Sequence, residues 1–472
     1  MREKTEVVVI GAGPGGYVAA IRLGQLGKKV ILVEKDGMEG LGGICMNHGC
    51  IPSKALIRAS KFFHNIKNAG EMGINVSNVS LDANKLQDWK NNILKKLRSG
   101  IDFLCKKNNV KWVKGEAFFE SSNSVGIKGN GEVDSIEFDY AIIATGAVPS
   151  TLPDIEFDGE NVISYNEILD LREIPKDLLV VGGGYIAVEM ATCYAKLGSK
   201  VKLVHRRAQI FRGYDKDVVS VVQKQMQKDG VELILNSTIS RVEKTGSRLE
   251  VLIDTQEKSE STLEVDKILV AVGVKPNSKN LGLENTKVKV DEDGFIVVNK
   301  SLRTTDTNIF AIGDVATQPL LAHKATREGK LAAETIAGHN KEFTNNCIPA
   351  VIFSDPEIAI AGLTENETRE KGYEISIGKF PFSALGRAYI ENETEGFVKI
   401  IEDKKTGRIL GVVIVGPEAS NLISEAALAV EKGLKTEDLI NTIHPHPTLG
   451  ESLMEAAEAV KKSAIHIINL KL

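Results

Sequence analysis

The chain has 472 residues, too long for one ordinary domain, so two to four domains are expected. Hydrophobic residues make up 42% and charged residues 26%, the balance of a folded globular protein and not of a disordered one. A net charge of −4 without a long basic run argues against nucleic-acid binding, and no apolar run nears the roughly 20 residues of a membrane span.

The N-terminus, MREKTEVVVIGAG, enters a hydrophobic strand almost at once and leaves no room for a signal or transit segment. A cytoplasmic location is expected on that ground. Residues 7–34, VVVIGAGPGGYVAAIRLGQLGKKVILVE, read as a strand, a glycine-rich turn, a helix, a Leu-Gly break and a second strand. Gly11 suits the tight turn, Gly13 lets the backbone approach a pyrophosphate, and Gly16 lets the helix close on the strand. The pyrophosphate would rest on the helix N-terminus. Glu34 follows about 20 residues on, where a carboxylate suits two ribose hydroxyls.

Residues 42–56, GGICMNHGCIPSKAL, place Cys45 and Cys50 in a C-x4-C spacing just before a helical run. Zinc would want a second Cys or His pair, and none is convincingly placed. A structural bridge is the other bland reading, but one short bridge in a cytosolic chain is more often catalytic. A thiolate near a helix N-terminus has a depressed pKa and attacks disulfides, so a redox pair is favoured. No metal is expected. Cys105, Cys193 and Cys347 are isolated and read as buried apolar residues.

Residues 179–205, LVVGGGYIAVEMATCYAKLGSKVKLVH, repeat the plan of 7–34, with Gly182, Gly184 and Ala187 as the fingerprint. Each copy has a later echo: YAIIATGAVPS (140–150), and KILVAVGVKPNS (267–278), which contains Gly273. Two dinucleotide-binding domains of similar plan are therefore expected. The second copy ends on His205 where the first ends on Glu34, and continues with Arg206, Arg207 and then Arg212. Losing the acid removes repulsion from a ribose 2′-phosphate, and arginine offers a matching fork of donors. This predicts that the second site favours NADP(H) over NAD(H).

From about residue 346 the pattern changes. Alternating strand-like runs (GFVKIIED, RILGVVIVG) and two amphipathic helices (NLISEAALAVEKG, GESLMEAAEAVKKSA) occur without a glycine fingerprint. HPHPTLGES (444–452) offers His444 and His446, with Glu451 five residues after the second. A dithiol must lose protons to be oxidised, so a general base should accompany the cysteines. Imidazole titrates near neutrality, and a carboxylate can orient it.

On these motifs the chain resembles the FAD-dependent pyridine nucleotide–disulfide oxidoreductases over nearly its whole length. GGICMNHGCIPSKAL and HPHPTLGE are most similar to the lipoamide dehydrogenase branch. The resemblance implies an α/β fold of two Rossmann-like dinucleotide-binding domains plus an α+β dimerisation (interface) domain. The expected limits are 1–148 and 273–345 for the two parts of the FAD domain, 149–272 for the NAD(P) domain and 346–472 for the interface. It implies FAD on the first site and a nicotinamide nucleotide on the second.

The resemblance also implies roles for residues. Cys50 is the thiol against the flavin and Cys45 exchanges with substrate. Lys54 lies beneath the flavin and pairs with Glu189. Gly115 of KGEAFF, Thr145, Gly146, Asp314 of TTDTNIFAIGDVA and Ala322 of AHKA match FAD contacts, Asp314 on the ribityl chain. The family's His-Pro-Thr falls on His446-Pro447-Thr448, which makes His446 the base and Glu451 its partner. That histidine would serve the cysteines of the other subunit of an obligate homodimer, across a cis His446–Pro447 bond. The implied activity is interconversion of dihydrolipoamide and lipoamide. The implied partners are lipoyl groups of a 2-oxo acid dehydrogenase or glycine cleavage complex, or a free small disulfide.

One part departs from that branch, which usually carries an acid at the end of the second-site strand. YIAVEMA and HRRAQIFR resemble instead the NADPH-dependent glutathione reductases, with Arg206 and Arg212 matching their phosphate-binding arginines. NADPH-dependent reduction of glutathione or another small disulfide is therefore the alternative. Against it, Ile21 stands where that family has a glutathione-binding arginine.

Overall fold

The first hydrophobic run forms the strand Arg2–Ile10, with Val7, Val8 and Val9 fully buried in the computed structural model. The structure describes residues 1–129, 133–153, 155–255 and 261–469. Continuous apolar runs suit a parallel sheet covered on both faces. Arg2–Ile10 pairs in parallel with Val30–Glu34 on one side and Ser135–Ile143 on the other, and Val110–Lys114 extends the sheet past Val30–Glu34. Two strands share the outer edge of Ser135–Ile143. Ser124–Lys128 pairs antiparallel with its first half, and Ile309–Ala311 pairs in parallel with its last three residues.

The repeat reappears as a second sheet. Asp177–Val181 is flanked in parallel by Lys200–His205 and Lys267–Val270, with Glu232–Leu235 and Val162–Ile163 outside them. Its strands follow the same spatial order as the parallel part of the first sheet. The outermost strand comes from later in the chain in the first sheet and from earlier in the second. Helices Pro14–Gln25 and Tyr185–Leu197 follow the glycine turns. The Leu-Gly breaks reverse the chain through Gly27 (φ +78°) and Gly198 (φ +111°), left-handed conformations that glycine adopts freely.

An insertion that the repeat does not announce joins Glu232–Leu235 to Lys267–Val270, the fourth and fifth strands of the second sheet in chain order. Ser237–Thr245, Arg248–Thr255 and Ser261–Val265 form an antiparallel meander. Its buried face (Leu249, Val251, Ile253) packs with Leu179, Val181, Val204 and Ile268 of the sheet. The two echoes pair with each other: Ala147–Pro149 and Val274–Pro276 form an antiparallel ribbon. Both connections between the nucleotide units therefore run side by side.

The third sheet is antiparallel, in the order Ala350–Ile352, Glu357–Gly362, Ile409–Gly416, Phe397–Asp403, Ile375–Pro381. Helices Ala419–Lys432 and Glu451–Val460 cover one face. Alternating burial is expected of its strands from sequence, yet every residue of Phe397–Asp403 is buried. The reason is that Ile352, Ile358, Phe397, Val413 and Val415 pack into the core of the second unit. Both faces of this sheet are covered. Among the described residues no helix is long and apolar enough to cross a membrane.

Candidate active site

The first glycine loop is built around close approach. A Cβ on Gly16 would lie 1.9 Å from the Gly11 carbonyl oxygen, so the helix can close on the strand only with glycine there. A Cβ on Gly13 would meet nothing within 4 Å. Open space over Gly13 at the start of a helix is what a dinucleotide pyrophosphate needs. Glu34 lies beneath this loop. Its Oε2 accepts from the Ala12 N–H at 2.8 Å and its Oε1 from the Asp36 N–H at 3.3 Å. Burial pushes its carboxyl above the ordinary value, and the two N–H donors oppose that shift. Gly115 joins the same place, its N–H donating to the Glu34 carbonyl at 3.0 Å. These residues fit the adenosine end of FAD.

The cysteine segment is tied to that loop. Gly42 N–H donates to the Ala12 carbonyl at 2.9 Å. Cys45 lies in the short helix Gly43–Asn47, and Cys50 is the first residue of the eighteen-residue helix Cys50–Lys67. The two sulfurs form a disulfide, with Cα atoms 4.6 Å apart. Cys50 thus sits at the positive end of a long helix dipole, which favours a thiolate there once the bridge is reduced. Cys105, Cys193 and Cys347 are buried free thiols. Burial pushes Cys105 up to about 11 and Cys193 to about 12, so neither is a ready nucleophile.

One turn after Cys50, Lys54 Nζ donates to Glu189 Oε2 at 2.9 Å. Glu189 belongs to the helix Tyr185–Leu197 and is 3% exposed. Its Oε1 accepts from the Phe353 N–H at 2.9 Å, and Lys54 Nζ lies 4.5 Å from the centre of the Phe353 ring. Elements of all three sheets therefore converge on this pair. Asp314 lies in the short turn Gly313–Val315. Burial raises its carboxyl, with Lys324 opposing and Glu328 adding to the shift. Ala322 begins the helix Ala322–Ile336. Thr145 and Gly146 are held to the Val274–Pro276 side by Asn277, which accepts from Thr145 Oγ1 at 2.7 Å and donates its N–H to the Gly146 carbonyl at 2.9 Å.

Two residues without a sequence motif join the centre, Phe353 and Tyr185. Tyr185 follows Gly184 as Pro14 follows Gly13, and that position was its only sequence signal. Burial of its phenol, then Asp314 and Glu189, push it up to about 12, although the residue as a whole is 46% exposed.

The second glycine loop copies the first with one substitution of parts. A Cβ on Gly182 would lie 2.2 Å from the Ala271 carbonyl oxygen, and one on Gly184 would meet nothing within 4 Å. Ala187 is fully buried beneath the turn, and Gly273 adopts φ +128° on the facing loop. His205 ends its strand and stacks under Gly183, where a Cβ would lie 2.7 Å from the ring. Its Nε2 is buried with no partner among the described residues. Burial, then Arg207 and Arg206, lower its pKa, so the ring is neutral near pH 7. Arg206, Arg207 and Arg212 are all exposed. None forms an ion pair among the described residues. Open space, an unpartnered nitrogen and three free guanidinium groups fit a phosphorylated nucleotide.

His446 lies in the third unit, before the helix Glu451–Val460, and is 77% exposed. Its Nδ1 and Glu451 Oε1 are 2.8 Å apart, while Glu451 Oε2 accepts from the Thr448 N–H at 2.8 Å. Burial raises the Glu451 carboxyl, but the Thr448 N–H and His446 outweigh it and hold the group below its ordinary value. The pair presents Nε2 to the outside. The His446–Pro447 bond is cis. His444 is bound differently, between the Thr442 carbonyl at 2.9 Å and Glu425 at 3.0 Å.

Residues 5–329 match the family described as pyridine nucleotide-disulphide oxidoreductase, and residues 348–457 match its dimerisation domain. The chain is 45% identical over 465 residues to a dihydrolipoyl dehydrogenase of Geobacillus stearothermophilus, covering 98% of both chains. It is 44% identical over 469 residues to a dihydrolipoyl dehydrogenase of Haloferax volcanii, again covering 98% of both. Among solved structures, LpdA from Mycobacterium tuberculosis aligns with a TM-score of 0.88 at 26% identity, over 96% of this chain and 99% of that one. The HOCl-induced flavoprotein disulfide reductase RclA from Escherichia coli aligns with a TM-score of 0.85 at 28% identity, over 95% and 98%.

Proposed function

The chain belongs to the pyridine nucleotide-disulphide oxidoreductase family, and from that premise we propose that it interconverts dihydrolipoamide and lipoamide through Cys45 and Cys50. It is an FAD-dependent disulfide oxidoreductase. The observation that carries the reading is the Cys45–Cys50 disulfide at the start of a long helix, in a segment whose Gly42 N–H is hydrogen-bonded to the loop that fits FAD. FAD over Gly13 and Glu34 would supply the two-electron transfer between the dithiol and the nicotinamide nucleotide.

One dihydrolipoyl thiolate attacks Cys45 Sγ, and Cys50 leaves as a thiolate stabilised by its helix N-terminus. The second dihydrolipoyl thiol gives its proton to His446 Nε2 and attacks the lipoyl sulfur of the mixed disulfide, which breaks the bond to Cys45 Sγ, closes lipoamide and expels Cys45 as a thiolate. Glu451 fixes the tautomer of that imidazole and stabilises its charged form. The exposure of His446 and the match to a dimerisation domain support a homodimer in which it serves the cysteines of the second subunit. Lys54, Glu189, Asp314, Thr145, Gly146, Gly115 and Ala322 would hold the flavin.

At the second site, Gly182, Gly184, Ala187 and Gly273 would hold the nucleotide, and Arg206, Arg207 and Arg212 favour a 2′-phosphate. NADPH-linked reduction of glutathione or another small disulfide is the second reading, favoured by those unpaired arginines. Cys45→Ser and Cys50→Ser should each abolish turnover with lipoamide while FAD stays bound. Turnover retained in either variant would reject the mechanism, and wild-type turnover with oxidised glutathione but not with lipoamide would favour the second reading.

A further inference from the structure

A second set of ionised groups ties the two redox helices to the third sheet. The helix Cys50–Lys67 carries Lys54 and, seven residues on, Lys61; the helix Tyr185–Leu197 carries Glu189 and, seven residues on, Lys196. Seven residues is close to two turns, so each pair shares a helix face about 10 Å apart. Both faces meet one short segment of the third unit, residues 353–355. At its start, the Phe353 N–H bonds Glu189 Oε1, whose other oxygen holds Lys54. At its end, Asp355 Oδ1 accepts from Lys61 at 3.4 Å and Oδ2 pairs with Lys196. Among the described residues each lysine has one further partner: Glu393 at 2.9 Å for Lys61 and Asp229 at 3.4 Å for Lys196. The same two helices thus grip the same three residues twice, once at the redox pair and once below it.

We propose that Asp355 is a positioning residue for the redox centre: it holds residues 353–355 against both helices, keeps the Phe353 N–H on Glu189, and so fixes the charge and place of Lys54. The proposal rests on the reading of Lys54 as the lysine beneath the flavin. Lys196 and Glu189 are 4% and 3% exposed, and buried charges persist only when paired. Without the Asp355 charge, Lys61 and Lys196 face each other across the segment and repel. Only Ser354 separates Asp355 from Phe353, and its Oγ is already engaged on the Pro356 carbonyl at 2.7 Å. A shift at Asp355 is therefore passed to the Phe353 N–H. A bond from N–H to an ionised carboxylate is of the class whose loss changes an equilibrium about tenfold or more.

A simple strut between domains would lower stability and leave the redox centre alone. The test is Asp355→Asn in the flavin-loaded enzyme, reduced anaerobically by two electrons with dihydrolipoamide. The readout is the long-wavelength charge-transfer band of the Cys50 thiolate against the flavin. We expect that band to fall to about half or less, since a tenfold shift turns an arrangement favoured about tenfold into an even mixture. Glu393→Gln, which removes the other partner of Lys61 without touching the segment, should keep the wild-type band. A wild-type band in Asp355→Asn overturns the proposal whatever the Tm. Equal loss in Glu393→Gln also overturns it, because the effect is then general loosening. Where Asp355→Asn does not fold, Lys61→Met is read on the same band; partial loss supports the proposal and an unchanged band refutes it. A wild-type enzyme that forms no band overturns the parent reading of Cys50 and Lys54 instead.

Discussion

Replacing Arg206 by alanine should remove most of the enzyme's use of NADPH and leave NADH almost untouched. Arg206, Arg207 and Arg212 are exposed, so truncation orphans no buried partner and opens no cavity. The loss is then confined to the contact with the 2′-phosphate. A hydrogen bond to a charged group is worth about 1.5–3 kcal/mol net. Exposure and salt screening favour the lower end of that range. A loss of about 1.5–2 kcal/mol corresponds to roughly 10–30-fold in kcat/KM. Arg206→Ala with Arg212→Ala should reach about 100-fold or more if the two contacts add. The assay is steady-state kcat/KM for NADPH and for NADH, with lipoamide as acceptor, at two ionic strengths. Only the NADPH value should fall steeply with salt. A wild-type enzyme that prefers NADH, or variants that lose both nucleotides equally, would make the three arginines a solvated loop.

Gly13→Ala should fold normally, since its backbone angles are open to any residue, yet release FAD, whereas Gly16→Ala should lower Tm by several degrees through its clash with the Gly11 carbonyl. Flavin absorbance after gel filtration, with Tm of the same samples, separates the two; equal behaviour would refute the assignment of the open space. His446→Gln should slow dithiol–disulfide exchange about 10²–10⁴-fold, and Glu451→Gln less, in rapid-mixing experiments. An unchanged exchange rate in His446→Gln would remove it as the base. His466 has its pKa raised above 6.5 by its hydrogen bond and charge pairing with Glu455. A raised folded value means the contribution is fully present below pH 6.5 and lost as pH rises through the folded value. His466→Gln should therefore lower Tm at pH 6 and not at pH 9, and the same deficit at both pH values would exclude this linkage.

What the sequence made legible is local. The fingerprint around Gly11, Gly13 and Gly16, the pair Cys45 and Cys50, and the pair His446 and Glu451 each lie within a dozen residues, and each carries its chemistry in its spacing. His205 shows the limit of that reading. The repeat aligns it with Glu34, and the structure reveals a ring packed under Gly183 where Glu34 accepts a hydrogen bond from its own loop. The alternation of the third sheet misleads for a related reason. Periodicity reports a solvated face, and no such face exists where a second unit covers the sheet. Lys61, Lys196 and Asp355 carry no motif at all. Their meeting depends on three segments brought together by tertiary packing, and single-sequence patterns hold no record of it.

The shared edge of Ser135–Ile143 has a consequence for biosynthesis. The first sheet lacks the strand Ile309–Ala311 until most of the chain has been made. At about 5–20 residues per second, roughly 170 intervening residues delay it by about 10–30 s. Meanwhile the second sheet has all its strands by residue 270, although its core still awaits Ile352, Ile358, Phe397, Val413 and Val415 of the third unit. The first sheet, with six of its seven strands made, must wait beside it with part of one edge unpaired, exposed to aggregation and to chaperones. Contacts of such long sequence separation also predict slow refolding in vitro. The first sheet, although it begins the chain, is thus completed only after the strands of the second have all been made.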